Sequence, residues 1–182
     1  RDVTLSYRDK VQVAENGNHI TTPKLAQQKD GNVETQIQSK IKNTAKTLAK
    51  VFVEQQIFTK EGKAVSDLVR SVTKNLAGNE AADFKQTILV NKPTLWTTKS
   101  YHPQLYVLKT KVYNEGQLVD VTEDTFGYRY FNWTAKEGFS LNGERMKFHG
   151  VSIHHDNGAL GAEENYKATY RKLKLLKDMG VN

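Results

Sequence analysis

Tyr106-Val107-Leu108-Lys109-Thr110-Lys111-Val112 sets Tyr106, Leu108, Thr110 and Val112 on one parity, with both lysines on the other. Successive side chains of a strand point to opposite faces, so the stretch reads as a half-buried β-strand with Tyr106, Leu108, Thr110 and Val112 on one side. Glu115-Gly116 then turns the chain and Leu118 to Val121 returns, which makes a hairpin. Phe126, Tyr128 and Tyr130 close the series on one parity, as a buried aromatic face.

The same pattern extends towards the N-terminus. Val3, Leu5 and Tyr7 alternate, and Val11 and Val13 lead through Asn16-Gly17 to Ile20. Asn-Gly is a strong signal for a two-residue hairpin, so a turn is expected there. Val33, Thr35, Ile37 and Ile41 share a parity, as do Ala49, Val51, Val53 and Ile57. Phe84, Ile88 and Val90 follow, and Pro93 ends that run. Val65, Leu68, Val69 and Val72 also have helical spacing, but a strand with a long loop is the preferred reading of residues 61–82. About seven short strands separated by turn residues predict a mainly β chain, with an immunoglobulin-like antiparallel β-sandwich over residues 1–134.

The character changes after Trp133. Phe139, Leu141, Asn142-Gly143 and Met146 predict a second tight hairpin, and Phe148 to Ile153 a strand. Gly158 and Gly161 mark a loop. Glu163 and Glu164 are expected to open a helix, at the end where its dipole favours acids. Tyr166, Tyr170, Leu173, Leu176 and Met179 give that helix an apolar stripe, and Gly180 caps it. Strand, loop and helix make half of a βαβ unit, so residues 135–182 form a second, incomplete piece. An unpartnered strand edge seeks another chain or folds back on its own sandwich, so either self-association through 138–182 or non-native packing of that segment is expected.

Composition narrows the function. The chain has 182 residues, and a complete (β/α)8 barrel needs about 250. Its first residue is Arg1, which points to an excised or processed piece. It has no cysteine, which excludes disulfides, thiolate metal sites and a cysteine nucleophile. The absence of cysteine leans slightly towards an exported bacterial protein. No apolar run approaches the roughly 18 residues of a membrane span. The net charge of +7 is spread along the chain, with 19 basic and 14 acidic residues before Ala135 and 8 and 6 after Thr134. A nucleic-acid binder concentrates its Lys and Arg on one face, so a nucleic-acid partner is not expected.

Several segments in order carry a resemblance. Lys92-Pro93-Thr94-Leu95-Trp96, Tyr106 to Thr110 and Phe126-Gly127-Tyr128-Arg129 resemble the end of the sandwich domain of family-two glycoside hydrolases. Gly138-Phe139-Ser140-Leu141-Asn142-Gly143-Glu144 is similar to that family's lead-in to its catalytic TIM barrel. Phe148 to Asp156 looks like the first barrel strand, and Leu175 to Asn182 like the first barrel helix running into the second strand. The His-His-Asp and Gly-Ala-Leu-Gly loop most resembles the bacterial β-galactosidase branch, while Ser152 and Ile153 stand where many relatives have Asn and then Arg or Lys. The resemblance implies a sandwich followed by a truncated first β/α unit of the barrel. It further implies a retaining β-glycosidase as parent, with a β-galactoside as substrate and no cofactor. Retention uses two carboxyl groups about 5–5.5 Å apart, and in this family both are glutamates on later barrel strands. The chain is therefore expected to hold no catalytic residue and to need the remainder of its parent polypeptide. The alternative is a bacterial surface binding or adhesion module, a common use of such sandwiches.

His154, His155 and Asp156 are the one cluster that could carry chemistry. Three readings compete: a metal site, a loop that only bonds backbone, and the rim of a substrate pocket. A metal site is the weakest, because neighbours on a strand face opposite ways and only His19, His102 and His149 remain as further histidines. No metal is expected. A pocket rim fits the C-terminal end of a barrel strand, where barrel enzymes place their sites. Asp120, Glu123 and Asp124 read as a solvated sheet edge. Trp96, Trp133, Tyr128, Tyr130 and Phe131 read as core and interface packing rather than a sugar platform. Asn132-Trp133-Thr134 matches a glycosylation sequon, read as chance.

Overall fold

A computed structural model describes residues 3, 5–100 and 103–182. In chain order its elements are β1 (Val11–Thr21), α1 (Leu25–Gln28), β2 (Asn32–Asn43), β3 (Ala49–Thr59), β4 (Val69–Arg70), β5 (Lys74–Leu76) and β6 (Ala81–Asn91). Next come β7 (Tyr106–Asn114), β8 (Gln117–Phe126), β9 (Phe131–Thr134), β10 (Gly138–Leu141), β11 (Glu144–Arg145), a 3-10 turn (Gly158–Leu160) and α2 (Tyr166–Asp178). One antiparallel sheet has the order β1-β2-β6. The other runs β4-β3-β7-β8, with β5 also paired to β3. Together they form the predicted immunoglobulin-like sandwich.

Alternation builds its interior. Val11, Val13, Ile41 and Phe84 of the first sheet meet Val51, Val53, Leu76 and Val112 of the second. Val33, Ile37, Ile88 and Val90 meet Ile57, Leu108, Tyr106 and Tyr128 in a separate cluster. Each buried branched side chain contributes about 1.5–3 kcal/mol relative to exposure. Along four strands one polar residue separates the two clusters: Ser39, Gln55, Gln86 and Thr110. Gln55 donates to Ser39 Oγ at 2.9 Å and to Thr110 Oγ1 at 3.0 Å. Ser39 donates to Asn18, which in turn donates to Asp124 at 2.6 Å. Tyr128 is fully buried, and its hydroxyl bonds Thr35 at 2.7 Å. Burial pushes this phenol well above its ordinary pKa of 10.0.

Four expectations change. Asn16-Gly17 does not close a hairpin; β1 runs on through it to Thr21 and its register to β2 shifts between Val13 and Asn18. The positive φ of Asn16 that suits a hairpin turn serves a bulge equally well. Gly17 is required there, because a Cβ would come within 2.7 Å of the Ala14 carbonyl and 2.9 Å of that of Lys40. Val3, Leu5 and Tyr7 are exposed, and Leu5 to Tyr7 form no ladder with the described strands; Thr4 lies outside the described residues. Asp120 and Asp124 are not a solvated edge. The Asp120 carboxylate accepts from the Val13 amide at 2.9 Å and lies 3.8 Å from Arg8, so it ties the edge strand β1 to β8. Glu123 does face water, paired with Lys109 at 2.8 Å. Finally, Phe148 to Ile153 forms no strand and no ladder with any described strand.

Residues 61–82 hold β4 and β5 and no helix, as preferred. Asn142-Gly143 does turn a hairpin, between β10 and β11, and β9 completes a small antiparallel sheet. The strap after β6 joins this sheet to the sandwich. Trp96 donates its amide to Tyr128 O at 2.8 Å and accepts from Asn142 Nδ2 at 2.8 Å. The Lys177 ammonium on α2 donates to Thr98 O in the same strap. Among the described residues no helix is long and apolar enough to cross a membrane.

Candidate functional site

The face formed by residues 131–182 carries the cluster of interest. Trp133 and Phe131 are 64% and 69% exposed, so they are not core as expected. They pack among themselves instead: Trp133 stacks on Phe148 at 6.0 Å and Phe139 meets Phe148 at 4.7 Å. Trp96 is half-buried, with Arg129 over its ring at 5.1 Å, and fits the interface reading.

Asn182 clasps the beginning of the irregular segment after β11. Its amide donates to His149 O at 3.0 Å, and its side chain accepts from His149 N at 2.9 Å and donates to Lys147 O at 2.8 Å. A groove of about 1230 Å³ lies between this segment and α2, walled by Phe148, Val151, Ile153, Tyr170, Leu173 and Leu176. The predicted stripe of α2 faces this groove only in part, and no residue of the helix is buried. The helix begins at Tyr166 rather than at the glutamates. Asn165 caps it, its Oδ1 accepting from Lys167 N and Ala168 N. A short oxygen acceptor in the cap position satisfies those free amides better than Glu163 or Glu164 can.

His154, His155 and Asp156 stand together beyond the end of the segment, all exposed. The Asp156 amide donates to His154 O at 2.8 Å, which bends the chain there. His155 Nε2 lies 3.5 Å from Glu164 Oε1. Asp156 Oδ1 accepts from Gly158 N at 3.2 Å and so also closes the turn that follows. Among the described residues no three His, Asp or Glu side chains gather as a metal site would require. His19 lies on β1 and His149 beside Asn182, while His102 lies outside the described residues. Two residues missed by sequence reasoning organise the loop: Asn157 and Lys172. Asn157 donates to Glu163 O at 2.8 Å, and Lys172 reaches both Asp156 O and Asn157 Oδ1. No local pattern announces a contact across 15 residues. Chemically the cluster offers imidazole nitrogens and a carboxylate to hydroxyl groups.

Comparison with known proteins gives this geometry a setting. The family described as glycosyl hydrolases family 2 matches residues 17–129. A β-galactosidase of Bacteroides ovatus is 34% identical over all 182 residues, which cover 21% of that protein. A putative β-glucuronidase of Formosa agariphila is 28% identical over the same span, 20% of its length. The crystal structure of a family 2 member from Bacteroides cellulosilyticus superposes over 96% of this chain with a TM-score of 0.85 and 31% identity, the matched part being 22% of that chain. The chain thus spans about a fifth of the length of these relatives.

Proposed function

The chain belongs to glycosyl hydrolases family 2, and from that premise we propose that it is the supporting part of a retaining β-glycosidase whose substrate is a β-galactoside. In this reading residues 1–134 form the bracing sandwich and residues 135–182 the first β/α piece of the catalytic barrel. His154, His155 and Asp156 rim the substrate cleft, and both catalytic glutamates lie outside residues 1–182. The observation that carries the choice of sugar is the 34% identity over the whole chain to a protein named as a β-galactosidase, against 28% to one named as a putative β-glucuronidase. The uncovered apolar face of 131–182 fits the reading, since a barrel piece needs further strands against it. The isolated chain accordingly self-associates through 138–182, which sedimentation over a wide concentration range reads as rising mass.

The test is an assay of a longer polypeptide, carried through to the end of the barrel, beside the 182-residue chain. Nitrophenyl β-galactoside, β-glucuronide and β-mannoside are the substrates. The proposal expects hydrolysis of the galactoside by the longer protein alone. Preference for the glucuronide would overturn the choice of sugar, and turnover by the short chain would overturn the placement of the glutamates.

A further inference from the structure

The loop 154–165 has no apolar anchor. His154, His155, Asp156 and Leu160 are exposed, and only Asn157 in the stretch 151–160 is half-buried. A segment without burial holds its shape through hydrogen bonds alone, and here they form a closed set. The Asn157 amide donates to Gly161 O at 2.8 Å, and the Gly161 amide donates to Gly158 O at 2.9 Å. Gly161 sits at φ 61 and ψ −131, a conformation that residues with a Cβ avoid. Asn157 Nδ2 donates to Glu163 O at 2.8 Å, which ties the far side of the loop to the near side.

One side chain fastens this unit to the helix. The Lys172 ammonium donates to Asn157 Oδ1 at 2.8 Å and to the backbone oxygen of Asp156 at 3.1 Å. Two of its three donors are therefore spent on consecutive loop residues, and one of these is a rim residue. Lys177 is engaged elsewhere, with Thr98 in the strap. We propose that Lys172, acting through Asn157 and the Asp156 backbone, is a positioning residue that fixes the orientation of the His154–Asp156 rim. This rests on the reading of that rim as part of a sugar-binding cleft. A rim held in place before the ligand arrives has less freedom to lose on binding, so the effect belongs in KM more than in kcat.

The experiment has two readouts on the same substitutions, K172M, K172R and N157A. Amide exchange is followed in the 182-residue chain, and steady-state kinetics in the longer polypeptide. In K172M and N157A the amides of residues 157 and 161 exchange at least roughly tenfold faster, with those of β3 and β7 unchanged. K172R retains the protection. KM for the glycoside rises roughly tenfold in K172M with kcat within about twofold, and H154A and D156A raise KM as well. Unchanged exchange at residues 157 and 161 in K172M overturns the proposal. So does faster exchange with an unchanged KM in an enzyme whose KM does respond to H154A and D156A. Faster exchange with KM indifferent to all these changes leaves the clamp standing and brings down the rim reading instead.

Discussion

Residues 11–130 and residues 131–182 share a sequence style but not a physical state. In the first region two sheets place apolar side chains at every buried position of β2, β3 and β7 except the polar layer and the partnered Thr35 and Asn43. In the second, Leu141 is the one buried residue, and Trp133, Tyr166 and Met179 are largely exposed. The first region closes its own core. The second has hydrogen-bonded turns, a capped helix and an apolar face with nothing over it. Patterning of side chains decides which face is apolar, whereas burial depends on a second surface being present.

The comparison breaks most visibly on core truncation. Leu108 is fully buried between the sheets, and Leu108→Ala is expected to cost about 2–5 kcal/mol in urea unfolding. Leu173→Ala on the half-exposed face of α2 shifts the same transition by no more than about 0.5 kcal/mol. Equal losses from the two substitutions would mean that the regions unfold as one unit.

A smaller effect tests the seam between the sheets. Asp120→Ala strips the Val13 amide of its acceptor and removes the partner of Arg8. The expected loss is about 1–3 kcal/mol, with faster exchange in β1 before β2. A loss no greater than that of Glu123→Ala, whose partner is a surface lysine, would restore the solvated-edge reading.

The smallest effect appears in alkali. Tyr128 has its pKa raised by burial above 10.0, the value it regains on unfolding. Its contribution is full below pH 10 and is lost as pH rises towards the folded value, because the unfolded chain then releases a proton that the folded one retains. Stability should fall by up to about 1.4 kcal/mol per pH unit above pH 10 from this group, and Tyr128→Phe should remove that part of the slope. An unaltered slope in the variant would assign the alkaline loss elsewhere.

Much of the sandwich is legible because alternation is a local property. Tyr106 to Val112 becomes β7 with the predicted parity, and Glu115-Gly116 and Asn142-Gly143 turn where expected. Misreadings arise where a partner decides. Leu5 to Tyr7 and Phe148 to Ile153 alternate or run apolar as strands do, yet neither forms a ladder with a described strand. Asn16-Gly17 signals positive φ, and only the strand that follows distinguishes a bulge from a turn. The roles of Asp120 and Asp124 depend on bonds to residues more than 100 positions away. The cluster His154–Asp156 was visible as an unusual group, whereas Lys172 and Asn157, which hold the loop, look like an ordinary helix lysine and a turn asparagine.

Native-state amide exchange across all 182 residues tests the account's central claim, that the sandwich is complete in itself and the 131–182 face is not. The amides of β2, β3 and β7 should exchange only through global unfolding. Those of Lys147 to Asn182 should exchange at least about a hundredfold faster and be indifferent to urea at low concentration. Uniform protection over both regions, falling together with urea, would contradict the account.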